Sequence, residues 1–100
     1  MGHFLLTVSP LVSYFVVAKV IQKLVAEMRA NPGSVKFSNA VKVAEYYFGA
    51  PRRSGSSHHV FKMPWAGDPR VNLQDDGRRA KQYQVRQLLL AIDKSEATDP

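Results

Sequence analysis

The sequence predicts an α+β domain of αβββα order, in which two helices cover one face of a three-stranded antiparallel sheet and an extra helix precedes the whole. Three observations lead there. Apolar residues recur at helical spacing before residue 30, between residues 37 and 48, and again after residue 80. Between residues 58 and 74 the period falls to two, as in strands with one buried face. Asn31-Pro32-Gly33, Gly49 with Pro51, and Asp75-Asp76-Gly77 mark the changes of rhythm. One hundred residues suffice for one domain with a buried core.

Residues 1–30 form an N-terminal extension, mostly apolar from Phe4 to Val17. A secretory signal would carry positive charge before the apolar run, but the first lysine is Lys19, behind it, and no A-x-A pattern follows. Ser9, Pro10, Ser13, Lys19, Gln22 and Lys23 interrupt the run too often for a spanning helix. Val17, Val20, Ile21, Leu24, Val25 and Met28 recur at helical spacing, with Lys19, Lys23 and Glu27 off that stripe. This predicts an amphipathic helix docked on the domain or on a partner, self-association included. A membrane-associated tail, or an extension outside the working protein, is the alternative.

The domain proper is expected over residues 31–94, with residues 95–100 as a polar tail. Ser38 is the expected N-cap of its first helix, where Phe37, Ala40, Val41, Ala44, Tyr47 and Phe48 form one buried face. Gly49 suits a left-handed C-cap and Pro51 prevents resumption. A short extended piece at Arg52-Arg53 then turns at Gly55-Ser56-Ser57 into a strand running from His58 to Met63. There Phe61 and Met63 share the inner face with His59, and His58, Val60 and Lys62 occupy the other. Trp65 is the expected cover for the edge of the core. Arg70 to Gln74 form the third strand, with Val71 and Leu73 inward. The last helix is expected from about Ala80 to Lys94, with Val85, Leu88, Leu89 and Ile92 as its stripe. The uncovered sheet face would carry His58, Lys62, Arg70, Asn72 and Gln74.

A net charge of +6 makes a polyanion the default partner, nucleic acid or an anionic membrane. The charge is concentrated mid-chain: residues 52–86 hold eight basic and three acidic residues, a net of +5, against −2 for residues 87–100. The absence of cysteine removes disulfides, thiolate metal sites and a cysteine nucleophile, which is compatible with a cytoplasmic location.

His58 is the candidate catalytic residue. An imidazole gives or takes a proton near neutral pH, and cutting RNA by transesterification needs a base on the 2′-hydroxyl and an acid on the leaving oxygen. The plain alternative is a polar residue at the start of a strand. His59 faces inward and is expected as a hydrogen-bonded core histidine. Two adjacent histidines on a strand point apart, which argues against a shared metal, so no cofactor is expected. Arg78, Arg79 and Lys81 fall at the expected start of the last helix, where cations oppose the helix dipole but would clamp phosphate. Arg52, Arg53, Lys62 and Arg70 extend this basic surface, Lys62 and Arg70 being candidates to stabilise charge on the scissile phosphate. A solvated charge run is the alternative.

A short helix, then Gly55-Ser56-Ser57-His58-His59-Val60-Phe61, then a strand, a turn and a leucine-rich helix resembles the HicA family of toxins. The resemblance covers residues 31–94, and its specificity lies in the order of elements more than in the heptapeptide. The run Pro64-Trp65-Ala66-Gly67-Asp68-Pro69-Arg70-Val71-Asn72 looks like an actinobacterial-type branch of that family. The resemblance implies a fold similar to a double-stranded-RNA-binding domain and a metal-independent endoribonuclease cleaving messenger RNA. The family's glycine, small residue, histidine, two residues, aromatic pattern falls here on His58 as catalytic histidine and Phe61 as core aromatic. It further implies a HicB-type antitoxin as protein partner, which often supplies its own DNA-binding module; no DNA binding is expected of this chain alone. An extra serine between Gly55 and His58 and the apolar extension depart from the tightest form of the pattern. Two other classes stay open: a non-catalytic RNA-binding module of the same shape, and an adaptor using the apolar helix on a membrane or partner.

Overall fold

The structure, a computed structural model, describes residues 10–55, 58–67 and 69–98. Its elements are α1 (Pro10–Ala30), a 3-10 turn (Pro32–Ser34), α2 (Phe37–Phe48), β1 (Arg52–Ser54), β2 (His58–Lys62), β3 (Arg70–Asp76), β4 (Arg79–Ala80) and α3 (Gln82–Thr98). The strands form one antiparallel sheet in the order β1-β2-β3-β4. The α+β class agrees with expectation, and the arrangement of helices matches it roughly, since α1 joins α2 and α3 in the common core. The sheet has four strands, however, and not three.

The layers follow from side-chain alternation. Phe61 faces Val71 across β2 and β3, and these two, with Leu73 and Met63, are buried on one side of the sheet. Helices α2 and α3 cover that side with Ala40, Val43, Ala44, Val85, Leu88 and Ile92. Their apolar surface, removed from water, is the main stabilising term, at roughly 25 cal/mol per Å².

The fourth strand explains the corrections downstream. Gly77 and Arg78 both have positive φ, 63° and 71°, as the two central residues of a tight hairpin turn require. Asp75 and Asp76 therefore belong to β3, not to the turn, and pair with Ala80 and Arg79. Ala80 lies in β4 and the last helix begins at Gln82. Two residues are too few to show a period, which is why the returning strand left no mark in the sequence. Asp75 steadies the turn, its Oδ1 accepting from the Arg78 N–H at 2.7 Å. The outer edge of β4 is covered by the segment before α2: the Phe37 N–H donates to the Arg78 carbonyl and the Ala80 N–H to the Val35 carbonyl, both at 2.9 Å. Edge strands left open invite pairing with other chains.

That same contact displaces the predicted helix cap. Helix α2 starts at Phe37, with Lys36 in the cap position and no side-chain cap; Ser38 lies inside the first turn. The Phe37 N–H already has its acceptor in Arg78. At the other end Gly49 has the expected positive φ of 83°, with an extended ψ of −169°, and its N–H donates to the Glu45 carbonyl.

Helix α1 docks in cis through its C-terminal half. Ile21, Val25 and Met28 are buried in the common core and Leu24 packs against it. Val17 and Val20, expected on the same stripe, are about half exposed, and Leu11, Tyr14 and Phe15 more so. An exposed ion pair, Arg29 Nη2 to Asp93 Oδ1 at 2.6 Å, ties α1 to α3. Helix α3 continues to Thr98, so residues 95–98 of the expected tail are helical. Trp65 closes the core edge as expected, edge-on to Phe48 and beneath the Lys94 ammonium, 4.7 Å from its ring centre.

Two outcomes follow for chemical denaturation. Ile21→Ala lowers stability by about 2–5 kcal/mol, because it opens a cavity in the shared core, whereas Asp93→Asn costs less than about 1 kcal/mol. An equal effect of the two would show that α1 is not part of the cooperative unit. Arg78→Gly raises stability by about 1 kcal/mol by relieving the left-handed backbone; a loss would mean that the arginine side chain itself holds the turn.

Candidate nucleic-acid interface

Helices on one side leave the other face of an antiparallel sheet to water. Register decides which residues stand there. His58 pairs with Gln74, Val60 with Asn72 and Lys62 with Arg70, so the outward residues of β2 and β3 alternate with the buried Phe61, Val71 and Leu73. Arg52 pairs with Val60 and joins this face from β1; Arg79 pairs with Asp76 and joins it from β4. Among the described residues the face therefore carries Arg52, Lys62, Arg70 and Arg79, with Lys36 paired beside Arg79, against the carboxylate of Asp76.

Its two ends differ. Ala50, Arg52, Val60, Lys62 and Arg70 line a shallow cavity of 290 Å³. Val60 supplies an apolar wall and the three cations face anything anionic that enters. His58 lies four residues along β2 from Lys62, which is about 13 Å of strand. Arg79 lies at the opposite end, beyond His58. The imidazole thus stands between Arg52, Lys62 and Arg70 on one side and Arg79, paired with Lys36, on the other.

His58 is half-buried, and its Nδ1 lies 3.4 Å from Nδ2 of Asn72. His59 turns the other way, as predicted, into an edge contact with Phe37 at 5.1 Å between ring centres. Its Nδ1 is buried without a hydrogen-bond partner, so the hydrogen bond expected of a core histidine is not made there. Among the described residues no three His, Asp or Glu side chains come together as a metal site would need.

The remaining basic residues separate. Arg53 pairs with His59, which assigns it to the helix-covered side at the exposed edge of β1. The predicted cluster at the start of the last helix is dispersed by β4. Arg78 sits in the turn, Arg79 on the open face, and Lys81 alone adjoins α3, its carbonyl accepting from the N–H groups of Gln84 and Val85. Arg78 instead shares a second shallow cavity with Lys36, Phe37, Ser38 and Asp75. Gly55 of the turn before His58 has a φ of 69°; Ser56 and Ser57 lie outside the described residues.

Sequence reasoning did not single out Asn72, Lys36 or Gln84. Alternation did assign Asn72 to the face of His58, but only the register makes the two diagonal neighbours. Lys36 gave no signal, since its proximity to Arg79 arises from a long-range bridge. Gln84 is 2% exposed; its Oε1 accepts from the Gln74 N–H at 2.7 Å and so pins α3 to the strand behind His58. Chemically, the arrangement offers a proton-transfer group with one ring nitrogen beside a carboxamide, on a face rich in cations. Comparison with protein-family models, with curated proteins and with solved structures found no match.

Proposed function

We propose that the chain is a ribonuclease of the HicA toxin kind, cleaving messenger RNA in the cytoplasm with His58 as its acid–base group and no metal. The observation that carries this reading is the position of His58 on the uncovered sheet face, between the Arg52, Lys62 and Arg70 cations and Arg79. In the reaction, His58 takes the proton of a 2′-hydroxyl as that oxygen bonds to the adjacent phosphorus. The bond from phosphorus to the 5′-oxygen breaks, and that oxygen receives a proton. The products are a 2′,3′-cyclic phosphate and a 5′-hydroxyl end, so atoms and charge balance without a further reactant. Given the 13 Å of strand between them, Lys62 and Arg70 suit a neighbouring phosphate better than the scissile one. A HicB-type antitoxin would inhibit by covering this same face.

A second reading is favoured by one observation: Leu11, 82% exposed, and Tyr14 and Phe15 leave the N-terminal half of α1 as an apolar surface. In that reading the helix engages a partner, a second copy or a membrane surface. Among the described residues no helix is long and apolar enough to cross a membrane. Removing residues 1–17 keeps Ile21, Val25 and Met28 and isolates the question. Unchanged RNA cleavage and unchanged location in the cell would sink the adaptor reading.

Cleavage of RNA by the purified chain, compared with His58→Ala, is the direct test of the ribonuclease. The substitution should lower the rate by about 10²–10⁴-fold while RNA binding survives. Equal cleavage by both would overturn the assignment, and binding without cleavage by either would leave a non-catalytic RNA-binding module. Arg79→Ala and Lys62→Ala should each reduce the slope of log affinity against log salt by about 0.7 on single-stranded RNA, and Arg53→Ala should leave it unchanged. A slope insensitive to all three would place the RNA elsewhere.

A further inference from the structure

His58 meets its neighbour Asn72 through Nδ1, 3.4 Å from the carboxamide. Asn72 is half-buried in the middle of β3, one pair along from the partner of His58, so sheet register and not a loop sets their separation. The two ends of a carboxamide are a donor and an acceptor of nearly the same shape, and half a turn about χ2 exchanges them. The end that faces Nδ1 decides where a neutral imidazole carries its proton. With the NH₂ group inward, Nδ1 must be bare and the proton sits on Nε2. With the oxygen inward, the proton sits on Nδ1 and Nε2 offers a lone pair to the open face.

In the orientation of the structure Oδ1 is buried and accepts no hydrogen bond, while the nitrogen-to-nitrogen separation is long for one. The half turn gives that oxygen a ring N–H as donor. Resting on the ribonuclease reading above, we propose that Asn72 is a positioning residue for His58, its Oδ1 accepting from Nδ1–H so that Nε2 is the base for the 2′-hydroxyl. Once Nε2 has taken that proton, Nδ1–H still rests on Oδ1, and the same bond holds the imidazolium until the proton passes to the 5′-oxygen. A carboxylate could accept equally well but would set a negative charge against the phosphate. An amide fixes the tautomer without that repulsion.

The test combines histidine nitrogen NMR on the RNA-free chain at alkaline pH with cleavage kinetics. Wild type and Asn72→Asp should carry the His58 proton on Nδ1. Asn72→Leu, lacking an acceptor, should revert to the Nε2–H form that an unconstrained neutral histidine prefers. Asn72→Leu should also lower kcat by at least about tenfold, a part of what general acid–base catalysis supplies, with KM little changed. Asn72→Asp should retain kcat and raise KM. An Nε2–H tautomer in the wild type, or an Asn72→Leu variant with unaltered tautomer and rate, overturns the proposal. The wild-type tautomer is read without any substitution, so it decides the matter even if a variant fails to fold. If RNA is cleaved by none of the proteins, or as well by His58→Ala, the ribonuclease reading fails on its own, and the tautomers still report whether Asn72 orients His58.

Discussion

The pairing of Phe61 with Val71 is the constraint on which the rest of the structure depends. Both are buried, and with Leu73 they hold β2 and β3 in one register against the helices. A slip of one residue would send Phe61 to water and turn His58, Val60 and Lys62 toward the core. The cost of exposing Phe61 alone, about 1.5–3 kcal/mol, makes that slip unfavourable before any polar group is considered. The placement of the outer residues is thus set from the inner face.

The sheet was legible in the sequence wherever burial imposed a period. Phe61, Met63, Val71 and Leu73 announced the two long strands, and their alternation assigned His58, Lys62 and Arg70 to the outside. Arg79 was legible as a candidate cation but not as a residue of this face, because β4 is two residues long and its identity as a strand depends on a turn and on Asp75 and Asp76 beyond it. Reading Arg78 to Lys81 as a helix start was reasonable from the following apolar stripe. It failed because β3 runs through both aspartates and the chain returns as β4 before the helix begins. Ser38 misled for a related reason: a distant carbonyl, that of Arg78, already served the first N–H of α2.

The site was legible as a set of residue types and not as a set of contacts. Histidine and cations on one face can be inferred from parity alone. Which outward residue leans on which depends on register, and the diagonal of His58 and Asn72 spans two strands whose connecting loop gives no hint of it. Gln84 is the clearest case, a glutamine on the apolar stripe of α3 that looks like an interruption and in fact completes the hydrogen bonding of β3 at Gln74. Helix α1 shows the converse. Its stripe reads as continuous from Val17 to Met28, and the domain buries only the part that reaches it.

The bridge between the segment before α2 and β4 has a bearing on the order in which the molecule assembles. The β2–β3 pair closes a loop of seven residues between Lys62 and Arg70, whereas the bond from Ala80 to Val35 joins positions 45 apart. Loop-closure entropy favours the shorter connection, though only by the slow logarithm of length. The two central strands can therefore pair while the far edge of the sheet is still unsealed, and the covering of β4 belongs to the late stage of folding. Until the segment before α2 docks on it, a folding chain presents that edge to other chains, so the interval before closure is when association between copies competes with folding.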